Sequence, residues 1–154
     1  MEKKYADIFI TAWRTVLESF SSKQLIHAEI HDPNENADNC DILVSIGIIG
    51  DINGQVAMAM DVKTGKILAS EMLGGMDVTD MDELITSAVS EMCNMIMGNA
   101  CLSISSETPG VDITPPTVIC NQAGPHPASS PSYKISFKME DLDDIDFNVE
   151  IATA

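Results

Sequence analysis

Two apolar runs stand almost end to end near the middle of the chain. Residues 42–50 read "ILVSIGIIG" and residues 55–61 read "QVAMAMD", with only Asp51, Ile52, Asn53 and Gly54 between them. The first run is β-branched and both are of strand length. A parallel crossover takes about a dozen residues or more, so strands this close must pair antiparallel. Asn53-Gly54 is the pair that favours a tight hairpin turn there. Whatever surrounds this hairpin has to pack on an antiparallel sheet.

The flanking segments supply the rest of that sheet and its cover. In residues 4–20, Tyr5, Phe9, Trp13, Val16, Leu17 and Phe20 fall near one face at helical spacing, predicting an amphipathic helix whose aromatics are core. "QLIHAEIHD" alternates Leu25, His27 and Glu29 against Ile26, Ala28 and Ile30, a half-buried strand, and "DPNENADN" after it is a polar loop. Residues 62–73 read as a short helix, weakened by Gly65 in its first half. "GGMDV" interrupts, and Thr79 is positioned to cap a second helix, with Asp82 three residues on, that runs to about Ser105. "ETPGVDITPP" is predicted as a loop, because Pro109, Pro115 and Pro116 oppose regular structure. "TVIC" is a short strand and "NQAGPHPASSPS" a loop. "YKISFKME" and "IDFNVEIA" close the chain as a strand pair joined by the acidic turn "EDLDD". The order helix, strands, helices, strands predicts an α+β fold in which a mostly antiparallel sheet packs with long helices, as a single domain over residues 1–154.

Charge and cysteine usage narrow the function. The formal net charge is −16, which repels phosphate backbones and anionic membranes, so neither nucleic acid nor membrane is an expected partner. No targeting segment is visible in "MEKKYADIFI", and no run of about 18 apolar residues is present to span a bilayer. Cys40, Cys93, Cys101 and Cys120 form no CxxC pair. On one helix Cys93 and Cys101 would lie about 12 Å apart, too far for a disulfide. Reduced thiols in a cytoplasmic protein are the expectation.

The segment "SAVSEMCNMIMGNA", residues 87–100, combines an apolar helical pattern with residues that gain little inside a helix. At about 100° per residue, Ser87, Glu91, Asn94 and Gly98 form one narrow stripe, flanked by Glu83 and Ser90. Ile85, Ala88, Met92, Met95, Ile96 and Ala100 collect on the other side, predicted to be core. Asn99 falls inside that apolar face, where a buried amide has to be hydrogen-bonded, so it is expected to be structural. Gly98 leaves its turn bare, so that another surface can come close.

This run resembles the S/D-x3-E-x2-N signature of the CheX/CheC phosphatases, which remove phosphate from CheY-type response regulators. "ILASEMLGGMDVTDMDELITSAVSE", "SIGIIGDINGQVAMAM" and "VDITPPTVI" are similar to the same family, in the same order along roughly residues 5–152. The resemblance implies a phosphatase acting on the aspartyl phosphate of a CheY-like receiver. It carries over to Glu91 as the contact to the receiver and to Asn94 as the residue that positions the attacking water. Ser87 matches the first motif position, and Pro116, with Pro115 beside it, approximates a downstream proline. Ser87, Gly98 and Pro116 are thus the expected partner-binding residues. No cofactor or metal of its own is implied, since the receiver brings Mg²⁺. A homodimer formed through the sheets is implied as well. CheC proteins carry two Glu-x2-Asn stripes and this chain one, which makes CheX the nearer relative. The alternative is a non-catalytic receiver-binding or dimerisation module of a signalling complex.

Rival sites are weaker. His27 and His31 on a strand would stand about 13 Å apart, beyond one shared ion. His126 lies in the Pro/Ser loop. No Gly-rich phosphate loop and no G-x-S-x-G elbow occurs, and "EDLDD" lacks EF-hand spacing.

Overall fold

The computed structural model describes residues 5–21, 24–31, 40–75, 82–122, 133–140, 142 and 144–153. In chain order its elements are α1 (Ala6–Phe20), β1 (Leu25–His31), β2 (Cys40–Gly50), β3 (Ile52–Met60), α2 (Val62–Met72), α3 (Asp82–Glu107), β4 (Val111–Ile113), β5 (Thr117–Gln122), β6 (Tyr133–Met139) and β7 (Ile145–Thr153). The strands form one sheet in the order β1-β6-β7-β3-β2-β4, with β5 also pairing β2. Every pairing among them is antiparallel, so the α+β expectation holds.

One face of the sheet is the core. Val44, Ile46, Val56, Met58, Ile135, Phe137, Phe147 and Val149 are fully buried on alternating strand positions. α1 closes the β6–β7 side through aromatics, as its periodicity predicts. Trp13 stacks on Phe137 at a centroid distance of 4.1 Å, and Phe147 meets Phe9 at 5.5 Å and the Trp13 ring edge-on at 5.9 Å. The opposite face carries polar cross-strand contacts. Gln55 Nε2 donates to Ser45 Oγ at 2.6 Å, and Ser136 Oγ to Asp146 Oδ1 at 2.8 Å.

The central hairpin forms, but its turn is not where the Asn-Gly pair predicts. β2 and β3 pair from Ile42 opposite Met60 to Ile48 opposite Gly54. The chain reverses at Gly50 and Asp51, while Asn53 and Gly54 already lie in β3 opposite Ala152 and Ile151 of β7. The reason is a backbone crossing. Gly50 has φ +110°, and a Cβ on it would fall 1.9 Å from the Gly110 carbonyl oxygen. The turn therefore rests on the bend that follows α3, where Asp51 N–H donates to Gly110 O at 3.4 Å.

The expected loop over 107–116 contains a strand. β4 is only three residues long and pairs with Gly50 to Ile48 at the end of β2. Pro109 and Pro115 lie outside the paired residues, so neither removes a ladder hydrogen bond.

The helix layer centres on α3, which packs against both α1 and α2 and against β2. Asp61 caps α2, its carboxylate accepting from Thr64 N–H at 2.8 Å. Gly65 does not weaken α2 so much as permit it. A Cβ there would stand 2.7 Å from Ile42 Cδ1, 3.2 Å from Ile85 Cγ2 and 3.7 Å from Val89 Cγ2, so glycine is what lets α2 settle onto β2 and α3. The expected loop over 121–132 starts later than its sequence suggests, since Asn121 and Gln122 extend β5; its remainder, with His126, and the proposed cap Thr79 lie outside the described residues.

Candidate functional site

α3 is long, and its burial pattern sets what it can show to a partner. Ile85, Ala88, Val89, Met92, Cys93, Ile96, Met97, Ala100 and Ile104 are buried. That face is turned further toward Val89, Cys93, Met97 and Ile104 than the sequence spacing suggests, because α1 and α2 cover both flanks of the helix. Two expectations change as a result. Met95, predicted as core, is 37% exposed. Asn99, predicted as a buried structural amide, is half-buried at the edge, and among the described residues its side chain makes no hydrogen bond.

The same rotation centres Ser87, Glu91, Asn94 and Gly98 on the outward face. Ser87 and Glu91 are exposed, and Asn94 and Gly98 half-buried. Glu91 and Asn94 are one turn apart, a spacing that sets their Cβ atoms about 5–6 Å from each other. Among the described residues a Cβ built on Gly98 meets nothing within 4 Å, so the turn after Asn94 is open to them. The backbone beneath is held rigidly by the buried half of the helix, which suits a site whose task is positioning.

Pro116 comes from a different element and ends level with the middle of α3. Ile42, at the start of β2, lies beside Ile85 and Val89 through the Gly65 contact. Val111, which pairs with Gly50 at the other end of β2, accepts from Cys101 Sγ at 3.5 Å. α3 thus runs parallel to β2. Thr117 pairs with Ser45, between those ends. The segment carrying Pro115 and Pro116 is anchored by Thr114, whose N–H donates to Gly47 O at 2.9 Å while its Oγ1 accepts from Gly47 N–H at 2.8 Å. Pro115 is exposed and Pro116 half-buried.

Other chemistry is muted. Burial pushes the Cys93 thiol up to about 12, so it stays protonated at neutral pH and is a poor nucleophile. His27 and His31 both face the Glu29 carboxylate on the surface of β1, with Nε2 at 3.6 and 3.7 Å from Oε2. Among the described residues no group of three or more His, Cys, Asp or Glu side chains is arranged to hold a metal ion. Among them, too, no helix is long and apolar enough to cross a membrane.

Sequence reasoning missed Leu102. It is 77% exposed, on the same side of α3 as Glu91 and Gly98. The helical spacing contains that signal, since Leu102 stands eleven residues beyond Glu91 on the same face.

Comparison with known proteins points one way. The model of the family described as chemotaxis phosphatase CheX matches residues 42–138. A relative, the CheY-P phosphatase CheX of Thermotoga maritima, is 37% identical over 78 residues, which span 51% of this chain and 50% of that protein. The chain therefore aligns with about half the length of that relative. The crystal structure of a CheX from Desulfovibrio desulfuricans superposes with a TM-score of 0.78 at 25% identity, covering 98% of this chain and 99% of that one. The CheX–CheY–BeF3–Mg²⁺ complex from Borrelia burgdorferi shares the fold, with a TM-score of 0.76 at 23% identity over 97% of this chain and 99% of that one.

Proposed function

The chain belongs to the CheX family of chemotaxis phosphatases, and on that premise we propose that it hydrolyses the aspartyl phosphate of a CheY-type receiver domain. The observation that carries this reading is the placement of Glu91 and Asn94 at the centre of the outward face of α3, with an open turn at Gly98 beside them. The Thermotoga maritima relative is a CheY-P phosphatase, and the Borrelia burgdorferi complex holds CheX with CheY, which agrees with the same partner.

The chemistry asks little of the phosphatase. An aspartyl phosphate is an activated acyl phosphate. Water attacks phosphorus in line, the new P–O bond forms, the bond to the aspartyl oxygen breaks, and inorganic phosphate and a free carboxylate leave. Catalysis is positioning plus charge stabilisation. The Asn94 amide offers one donor and one acceptor group on a fixed plane, so it orients a water without titrating. Glu91, exposed one turn earlier, is placed to form a charge-assisted contact with a basic group of the receiver and so set the register. Ser87 lies a turn before Glu91, and Pro116 precedes the point where β5 pairs with the middle of β2; in this reading both belong to the footprint of a docked domain. The receiver brings the Mg²⁺ that offsets charge on the phosphoryl oxygens, and the phosphatase adds no metal. In this reading the protein works in the cytoplasm beside its receiver.

The reading also includes a homodimer formed through the sheet, whose edge strands leave backbone groups unpaired. Light scattering should give the mass of two chains, and a single-chain mass would remove this part.

The functional test is phosphate release from a phosphorylated receiver, with and without a substoichiometric amount of this protein. Faster release over several turnovers is expected. Binding without faster release would overturn the phosphatase reading in favour of a non-catalytic module.

A further inference from the structure

The outward face of α3 continues past the Glu91/Asn94 pair. Met95, Gly98 and Leu102 follow Glu91 at four, seven and eleven residues, so all lie along one side of the helix. Met95 is 37% exposed and Leu102 77% exposed. Between them Gly98 leaves open space. Met95 and Leu102 are about 10 Å apart along the axis, with Gly98 near the midpoint. The result is two apolar ridges with a gap between them wide enough for one large side chain.

Among the described residues nothing accounts for Gly98. Glycine weakens a helix interior relative to alanine. The other helical glycine, Gly65, is required by atoms that a Cβ would strike at 2.7 Å. Gly50 and Gly110 have positive φ and close contacts of their own. Gly98 has no positive φ and, among the described residues, no neighbour within 4 Å of a Cβ. The surface it bares is open to a partner.

Size identifies that occupant. A compact domain of about 100 residues has a radius of gyration near 13 Å. Leu102 is about 12 Å along the helix from Asn94. A receiver that brings its phosphoaspartate to Asn94 covers this ground, and a standard interface takes about 800 Å² from each partner, far more than two polar side chains supply. The ridges are therefore continuous with the proposed reaction site rather than a separate patch.

We propose that a phosphorylated receiver seats an apolar side chain over Gly98, between Met95 and Leu102, and that these three residues set receiver affinity and orientation. This rests on the phosphatase reading above and adds its apolar anchor. Met95, Gly98 and Leu102 act through docking and not on the reacting atoms, so their loss falls on KM rather than kcat.

The test is steady-state hydrolysis of a phosphorylated receiver by the parent and by Gly98→Leu, Leu102→Ser and Ile26→Ser, each first checked for unchanged cooperative unfolding. Ile26 is 63% exposed on β1, at the other end of the sheet from the β2 and β4 strands that α3 packs on, and controls for general loss of apolar surface. Gly98→Leu should raise KM at least ten-fold by filling the gap, and Leu102→Ser at least five-fold, while Ile26→Ser keeps the parental KM. A parental KM in both α3 variants, with the parent active, would overturn the docking proposal alone. An inactive parent would overturn the phosphatase reading itself. Equal KM losses in all three variants would show a diffuse apolar effect and also refute the gap.

Discussion

Replacing Gly65 and Gly98, one at a time, by alanine applies the same chemical change to two helices in opposite surroundings. In both, alanine removes the penalty of an interior helical glycine, about 1 kcal/mol. At Gly98 no described residue opposes that gain, because a Cβ meets none of their atoms within 4 Å. Gly98→Ala should therefore stabilise the protein by about 1 kcal/mol, or about 2–4 °C in Tm for a chain of this size. At Gly65 the new methyl lands 2.7 Å from Ile42 Cδ1 and 3.2 Å from Ile85 Cγ2, and both side chains are buried. The Ile42 methyl is the end of a side chain and can turn, but the surrounding core gives it little room. Overpacking of this kind costs about 1–3 kcal/mol. Net of the propensity gain, Gly65→Ala should destabilise by about 1 kcal/mol. The difference between the variants, about 1–3 kcal/mol, isolates the packing effect because the propensity gain cancels. Urea unfolding followed by far-UV circular dichroism measures it. If Gly65→Ala stabilises as much as Gly98→Ala, the α2–α3–β2 contact is not the close approach described above.

Two further outcomes follow from the core. Asn99→Ala should change stability by no more than about 0.5 kcal/mol, since the amide is half-buried and unbonded among the described residues; a loss above about 2 kcal/mol would restore a structural role. Burial raises the Cys93 thiol from 9.0 to about 12, and raises the Tyr133 phenol by the same cause. In each case the folded state holds its proton more tightly than the unfolded state. Each contribution is therefore fully present below the group's ordinary value and lost as the pH rises above it, from about 9 toward 12 for Cys93 and from about 10 upward for Tyr133, by up to about ten-fold in the folding equilibrium per group and pH unit. Unfolding midpoints flat across that window would contradict it.

Much of this fold was legible because it rests on local periodicity. The α1 aromatics, the strand alternation and the close spacing of the two central apolar runs each act through near neighbours in the chain. What was not legible depends on distant contacts. Asn53-Gly54 carries a strong local turn preference, yet Gly50 takes the turn because its backbone meets Gly110 across the sheet end. β4 hides between prolines and exists only because β2 offers a free edge beyond β5. The same holds at the site. The stripe of Ser87, Glu91, Asn94 and Gly98 followed from helical spacing and is on the outward face. Met95 and Asn99 sit at the boundary of the buried face, and only the packing of α1 and α2 decides on which side each falls. Pro116 could be suggested from resemblance, but its level beside α3 depends on the pairing of β4 and β5 with β2.

The central claim is that Asn94 positions water while Glu91 holds the receiver. Single-turnover dephosphorylation of a matched receiver, paired with a binding titration, separates the two roles. Asn94→Ala should lose most of the turnover, on the order of 10²-fold, with binding largely kept, because positioning acts in the transition state. Glu91→Ala should weaken binding as well, and added salt should weaken the parent more than this variant, since it screens the contact already removed. An Asn94→Ala protein that dephosphorylates the receiver at the parental rate would contradict the account.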